Sequence, residues 1–184
     1  MNEVLKTIKS RRSVRHYSPE QISQESLDLI IEAGTYAPSA HNQQSWHFTI
    51  IQNPSLLQHI NETVRVRMAQ SEVEWIRKMG SNPSFQVTYN APTLVIVSGK
   101  SDSIAWSADC AAAIQNMLLA AESLDIGSVW LGLVRFYFEE EQNRKELEIP
   151  DGYEPYYGVS FGYKVKGKEP VAPKRKPDVV NYIR

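Results

Sequence analysis

The stretch APSAHNQQSWHFTII, Ala37–Ile51, joins a predicted helix to a predicted strand through a polar loop. The helix is capped by Ser23 and must end here, because the residue before Pro38 avoids helical geometry. Ser39–Ser45 follows as a loop, and the apolar residues of Trp46–Ile51 predict a strand. The stretch therefore indicates a helix, a loop and a strand in close succession.

The loop carries more hydrogen-bonding side chains than a turn requires. An Asx-type turn that satisfies its own backbone accounts for Ser39 and Asn42. It accounts less well for Gln43 and Gln44, which have long reach and are poor turn formers. Amide groups both donate and accept hydrogen bonds, as the mixed edge of a pyrimidine-like ring requires.

Outward from this stretch, helices and strands alternate irregularly. Further helices are predicted up to Ser10, from Asn53 to about Gln70, over Ser107–Leu124 with Gly127 as its terminator, and over Phe138–Leu147. Further strands are predicted at Thr93–Ser98 and Tyr156–Tyr163, and Val129–Val134 is a further apolar run. This order favours a mixed α/β sandwich over a regular βαβ winding.

Composition places the chain among ordinary globular proteins. Its 184 residues suit one domain, and it is 42% hydrophobic and 22% charged. No apolar run is long enough to span a membrane, and the first residues lack the layout of a secretory signal. The single cysteine, Cys110, is expected to be buried and inert. Together these features predict a cytoplasmic protein.

Positive charge is concentrated at the two ends of the chain. Met1–Tyr17 carries a net charge of +4 and Lys164–Arg184 a net charge of +5, whereas Ser18–Tyr163 carries −10. A nucleic-acid-binding protein would more often show a basic face on its main body. We therefore expect that this protein does not bind nucleic acid. The ends are either solvated or converge on one small, doubly negative group such as a phosphate monoester, which arginine binds well. Composition leaves both readings open.

Several common motifs are absent. Gly99-Lys100-Ser101 looks like the end of a P-loop, but Leu94 stands where that loop requires a glycine. No Gly-x-Gly-x-x-Gly follows a strand, and no Gly-x-Ser-x-Gly elbow is present. The four histidines and the cysteine lack metal-ligand spacing, so we predict no metal site.

Three stretches together resemble the nitroreductase family of FMN-dependent oxidoreductases. They are Arg11–Arg15 (RRSVR), Ala37–Phe48, and the pair Gln115–Ala121 and Gly127–Gly132, with a weaker match in the tail Pro173–Pro177. The resemblance runs in order over essentially the whole chain. One departure is Ser45, where the family usually has a proline, and this is expected to loosen the loop before Trp46.

The resemblance implies a fold of the α/β (α+β) class: a three-layer sandwich with a central, mostly antiparallel sheet flanked by helices. It implies an intertwined homodimer built from one FMN-binding domain, residues 1–184, with helix Ser107–Leu124 as a candidate dimer core. Residues 71–89 match the family's variable lid, and residues 164–184 match an extended C-terminal arm. Within the lid, Trp75 and Tyr89 are candidates to stack on a flat substrate, whereas Phe85 is expected to fill the core.

The resemblance also implies that the anion between the two ends is the phosphate of non-covalently bound FMN. Arg11, Arg12 and Ser13 would lie along the phosphate and ribityl chain. Lys174 and Arg175 would return from the arm to the same phosphate.

The flavin ring would be held by further residues. By resemblance, Arg15 lies near the pyrimidine edge, where a fixed cation stabilises the negative charge that reduction places at N1 and O2. The backbone amides of Leu131 and Gly132 would face the N5/O4 edge. Pro38 and three residues of the polar loop, Ser39, Asn42 and Gln44, would contact the flavin from the partner subunit.

The activity implied is an NAD(P)H-dependent oxidoreductase of ping-pong mechanism. Hydride from the nicotinamide reaches flavin N5, and an electron-poor acceptor such as a nitroaromatic or a quinone is then reduced in the same space. No side-chain nucleophile is expected. The alternative is a flavin-binding sensor or storage protein that does not turn over NAD(P)H.

Overall fold

A computed structural model describes residues 1–184. The six α-helices are α1 Glu3–Ser10, α2 Gln24–Thr35, α3 Pro54–Ala69, α4 Glu74–Gly80, α5 Trp106–Ser123 and α6 Glu141–Glu146. The four strands are β1 Trp46–Ile51, β2 Thr93–Lys100, β3 Ile126–Leu131 and β4 Tyr153–Tyr163. None of the helices combines the length and the apolar character that crossing a membrane would require.

The strands form one antiparallel sheet in the order β1-β2-β4-β3. β2 is central because its apolar run can be buried on both faces, and Thr93 to Gly99 are all buried. β1 and β3 lie at opposite edges of the sheet. The predicted, mostly antiparallel sheet is confirmed.

Helices cover both faces of this sheet. Successive residues of β2 point to opposite faces, so Leu94 packs with α3 on one side and Val95 with α5 on the other. The α3 side is filled by Ile60, Val64 and Met68, and α2 packs onto α5 in the other layer. The result is the three-layer sandwich that the resemblance implied.

The predicted helix starts are confirmed by side-chain caps. Ser23 Oγ accepts a hydrogen bond from the backbone N–H of Ser26 at the start of α2. Asn53 Oδ1 accepts from two N–H groups in the first turn of α3, and Pro54 occupies the first helical position.

The prediction that Gly127 terminates the long helix is wrong. α5 ends at Ser123, and the residue that turns the chain is Asp125, with φ of 57°. Gly127 lies inside β3, where a Cβ atom would come within 2.9 Å of Val14 Cγ1. This glycine therefore serves close packing, a requirement that cannot be read from a helix-end pattern.

The prediction of one charged helix over Phe138–Leu147 is also wrong. The chain forms 3₁₀ turns over Leu133–Glu139 and only then the short helix α6. Tyr137 and Phe138 are buried in the core under α3. Burial of these rings fixes the tight turns, and the charged residues follow on the surface.

Candidate functional site

The basic segment Arg11–Arg15 is fastened to the free edge of β3. The N–H of Val14 donates to the carbonyl of Ser128 at 2.9 Å, and Ser13 forms a single parallel bridge with the same residue. The Val14 side chain is buried against Gly127. The packing of this one apolar residue therefore holds the cations at the edge of the sheet.

None of the arginines in this segment forms an ion pair with a carboxylate, although the chain holds 21 acidic residues. Arg12 Nη1 donates to the carbonyls of Lys9, Ser10 and Arg11 and thereby completes the end of α1. Arg11 is half-buried and Arg15 is exposed. Positive charge therefore accumulates here without an acidic side chain to neutralise it, as an anion-binding site requires.

The turn after β3 lies along the same strand. Leu131 is the last residue of β3 and is buried, whereas Gly132 is exposed. A Cβ at Gly132 would meet only Tyr157, at 3.6 Å, so its backbone is open to approach by a flat ligand. The three steps from Ser128 to Leu131 span about 10 Å of strand. The structure thus brings the basic segment and this turn to one edge of the sheet.

The polar loop is held in an unusual backbone shape. His41, Asn42 and Gln44 all have positive φ, at 50°, 54° and 46°. The N–H of Gln44 donates to Ser39 Oγ at 3.0 Å, and Gln44 Nε2 donates to Asn42 Oδ1 at 3.2 Å. The side chains of His41, Asn42 and Gln44 are exposed in the single chain, so their remaining polar atoms are open to a ligand.

A buried carboxylate that the sequence analysis missed anchors this loop. Asp109, in the first turn of α5, accepts from Ala40 N–H at 3.1 Å and from Ser45 Oγ at 2.9 Å. Ser45 is only 2% exposed, so the expectation that it loosens the loop is wrong. The sequence signal that could have revealed Asp109 is an acidic residue in the first turn of a predicted helix, where the helix dipole stabilises negative charge.

Gln43 has a structural role. Its Oε1 accepts hydrogen bonds from Ser103 Oγ at 2.8 Å and from the N–H of Ile104 at 3.2 Å. These contacts tie the loop to the segment before α5. Of the two glutamines, only Gln44 keeps its side chain free of contacts outside the loop.

The polar loop and the basic segment lie apart in one chain. The loop precedes β1 and the basic segment borders β3, so three strand spacings, about 14 Å, separate the two edges. Lys174 and Arg175 are exposed in the C-terminal arm, with no hydrogen bond or ion pair to the basic segment. One chain therefore presents the predicted site in separate parts.

A groove of about 440 Å³ opens beside Arg15. Its lining includes three basic residues, Arg15, His16 and Lys168, and no acidic one. The groove also contacts the end of the predicted lid through Phe85 and Tyr89. Phe85 is half-buried against the core, as predicted.

Known proteins are similar to this chain over most or all of its length. The model of the nitroreductase family matches residues 8–163. A putative NADH dehydrogenase/NAD(P)H nitroreductase of Archaeoglobus fulgidus is 36% identical over 171 residues, which cover 89% of this chain and 86% of that protein. A nitroreductase with bound FMN from Bacteroides fragilis superposes with a TM-score of 0.92 at 37% identity, and one from Desulfitobacterium hafniense with a TM-score of 0.90 at 29% identity. In both pairs 100% of each chain is covered. By sequence and by fold, this chain belongs to the nitroreductase family.

Proposed function

We propose that this protein is a homodimeric, FMN-dependent oxidoreductase that takes electrons from NAD(P)H and reduces an electron-poor aromatic or quinone-like acceptor. The observation that carries the proposal is the full-length match, at 37% identity, to a nitroreductase with bound FMN. The relatives named NAD(P)H nitroreductases support the nicotinamide as donor. Residues 1–184 act as one FMN-binding domain.

The basic segment fits the phosphate of FMN. Arg11 and Ser13 bind the phosphate and ribityl oxygens from the edge of β3. Arg12 adds positive charge there with the guanidinium nitrogens that are not engaged at the end of α1. Lys174 and Arg175 bring two more cations from the arm, residues 164–184, so that both basic ends of the chain neutralise one phosphate.

The basic segment and the turn after β3 would hold the flavin ring between them. Arg15 holds a fixed positive charge near the pyrimidine edge, with no carboxylate to neutralise it. The N–H groups at Leu131 and Gly132 donate toward the N5/O4 edge, where the open backbone of the glycine permits close contact. When bound, FMN supplies the redox chemistry by taking hydride at N5 and passing electrons to the acceptor.

Each site is completed by a second subunit. The polar loop with Pro38, Ser39, Asn42 and Gln44 lies too far from the basic segment of its own chain, but a two-fold axis would bring it to the partner's flavin. Apolar side chains on α1 that one chain leaves exposed support this dimer: Val4, Leu5 and Ile8 are 64%, 48% and 46% exposed. The arm adds Val171 and Ile183, each more than 90% exposed.

The residues of the chain bind FMN and orient its ring, and none acts as a nucleophile. In this proposal residues 71–89 act as a lid, and Trp75, which is 57% exposed on α4, would contact a flat acceptor. Donor and acceptor use the same space in turn, which gives ping-pong kinetics.

The proposal is tested by the visible spectrum of the purified protein. We expect a yellow protein that NADH or NADPH bleaches without oxygen, and whose colour a nitroaromatic or a quinone restores. A yellow protein that neither nucleotide bleaches would support a flavin-binding sensor or store instead. A colourless protein that takes up no FMN at micromolar concentration would contradict any flavin function.

A further inference from the structure

Tyr89 is the main side-chain partner of Arg15. The guanidinium carbon of Arg15 lies 5.7 Å from the centroid of the Tyr89 ring, within the range of a cation–π contact. The only hydrogen bond that the guanidinium donates is a long one, from Nη1 to the carbonyl of Ser13 at 3.4 Å. The position of Arg15 therefore depends largely on this ring.

The backbone at Tyr89 is in a conformation that few bulky residues adopt. Tyr89 and Asn90 have φ of 55° and 58°, so two successive residues other than glycine are left-handed. Such a conformation persists only where the surroundings enforce it, and it is concentrated at functional sites.

The enforcing contacts come through Thr88, the residue just before. Asn61 Nδ2 on α3 donates to Thr88 Oγ1 at 2.9 Å, and the N–H of Thr88 donates to Asn61 Oδ1 at 3.0 Å. Ser160 Oγ on β4 donates to the carbonyl of Thr88 at 2.9 Å. Asn61, Thr88 and Ser160 are all buried. The backbone that leads into Tyr89 is thus fixed to two layers of the fold.

An aromatic partner suits a cation that must keep its charge. A carboxylate in this place would neutralise Arg15 and occupy its N–H donors, whereas a ring face attracts the guanidinium and leaves donors free. We propose that Tyr89 is a positioning residue whose ring orients Arg15 toward the pyrimidine edge of the bound flavin. This inference rests on the proposed function and deepens it, because it assigns a role to the end of the lid segment.

The test is the midpoint potential of the flavin in four holoproteins: wild type, Y89L, Y89F and R15A. Leucine keeps the Cβ and the backbone strain but removes the ring. We expect that Y89L binds reduced flavin, relative to oxidised flavin, threefold to tenfold more weakly than wild type does. For a two-electron couple this lowers the midpoint potential by about 15–30 mV. Y89F keeps the ring and should keep the wild-type potential.

The double variant R15A/Y89L shows whether Tyr89 acts through Arg15. If it does, Y89L has no further effect once Arg15 is gone. An equal drop in both backgrounds, or no drop in Y89L, would overturn the positioning role. F85L, an aromatic-to-leucine change in the same groove without an Arg15 contact, should leave the potential unchanged.

Failure of this inference is distinct from failure of the proposed function. A wild-type protein that binds no FMN would overturn both. A protein that binds FMN and oxidises NAD(P)H, but whose Y89L variant keeps its potential, would overturn only the role of Tyr89. FMN stoichiometry and circular dichroism of each variant establish that the compared proteins are folded and loaded.

Discussion

At the scale of single residues, Asp109 links the fold to the candidate site. Its two carboxylate oxygens hold the backbone and one hydroxyl of the polar loop, while its own position is set by the first turn of α5. Buried hydrogen-bonding groups that lose their partner are costly, because water cannot replace it. The loop's left-handed residues therefore depend on a carboxylate that is itself buried.

Replacing Asp109 with alanine should loosen the loop and weaken FMN binding. Ala40 N–H and Ser45 Oγ would lose their acceptor, so we expect the free energy of unfolding to fall by about 1–3 kcal/mol. Urea denaturation and FMN titration measure the two effects. D102A removes an exposed acid of a nearby loop, whose ion pair with Lys100 is solvent-exposed, and should change little. Equal effects of the two variants would contradict an anchoring role.

Replacing Gly127 with alanine should displace the basic segment. The new Cβ would lie 2.9 Å from Val14 Cγ1 and 3.2 Å from the carbonyl of Gly162, so Val14 must move from the edge of β3. We expect weaker FMN binding in a fluorescence titration. The double variant G127A/V14A should bind FMN better than G127A, because the smaller side chain restores space. No rescue would show that the clash with Val14 is not the cause.

Burial of Cys110 gives stability a defined pH dependence. Desolvation, with a smaller contribution from the Asp109 charge, raises the pKa of the thiol from 9.0 to about 12. The unfolded chain therefore loses this proton from pH 9 upward while the folded chain keeps it, so the free energy of unfolding falls as pH rises from 9 toward 12. Urea denaturation between pH 8 and 10.5 should show a shallower decline in C110A than in wild type. Parallel declines would exclude the thiol as a source.

At the scale of elements, the helix caps connect local sequence to the site. α3 begins at the Asn53 cap and carries Asn61, which holds Thr88 near the end of the predicted lid segment. The short helix α4 packs onto α3, and Gly80 allows this contact, since a Cβ there would lie 2.3 Å from Ala69 N. Residues 71–89, the predicted lid, are therefore attached to the scaffold through α3.

Removing the α3 cap should destabilise the protein measurably. Asn53→Ala leaves the N–H groups of Ser55 and Leu56 without their acceptor, and we expect a loss of about 0.5–2 kcal/mol in the free energy of unfolding. Asn53→Ser keeps a capping oxygen and should retain most of the stability. Chemical denaturation distinguishes them, and an equal loss in both variants would mean that packing rather than capping is affected.

At the scale of the whole molecule, the two halves of the candidate site lie at opposite edges of the sheet. If each flavin is shared between subunits, two different FMN-binding-deficient variants can complement each other in one dimer. A chain with R11A and S13A, paired with a chain with N42A and Q44A, leaves one site with both defects and one with neither.

Such a heterodimer, isolated through two different affinity tags, should hold about half the FMN of the wild-type dimer. Each mutant homodimer should hold little FMN, because both of its sites are damaged. Absorbance at 450 nm against protein concentration measures the content. An empty heterodimer would show that each site is built from one chain.

The fold was largely predictable because its elements follow local rules. Ser23, Asn53 and Pro54 mark helix starts through caps that act within one turn, and the β-branched run of β2 indicates a buried strand. The predictions failed at Gly127 and at Phe138, where distant neighbours decide the conformation. From local sequence, Gly127 packed against Val14 looks the same as a glycine at a helix end. In the same way, the ring of Phe138 buried under α3 looks the same as a residue of a surface helix.

For the site, the sequence by itself determined the chemistry: which cations, amides and glycines are available, and the family whose pattern they match. Only the tertiary structure decided their grouping. It joined the basic segment to β3 through Val14, assigned Gln43 and Ser45 to anchoring contacts, placed Tyr89 under Arg15 and set the polar loop at the far edge of the sheet. The physical reason is that side-chain chemistry is a property of each residue, whereas proximity depends on packing between residues far apart in the chain.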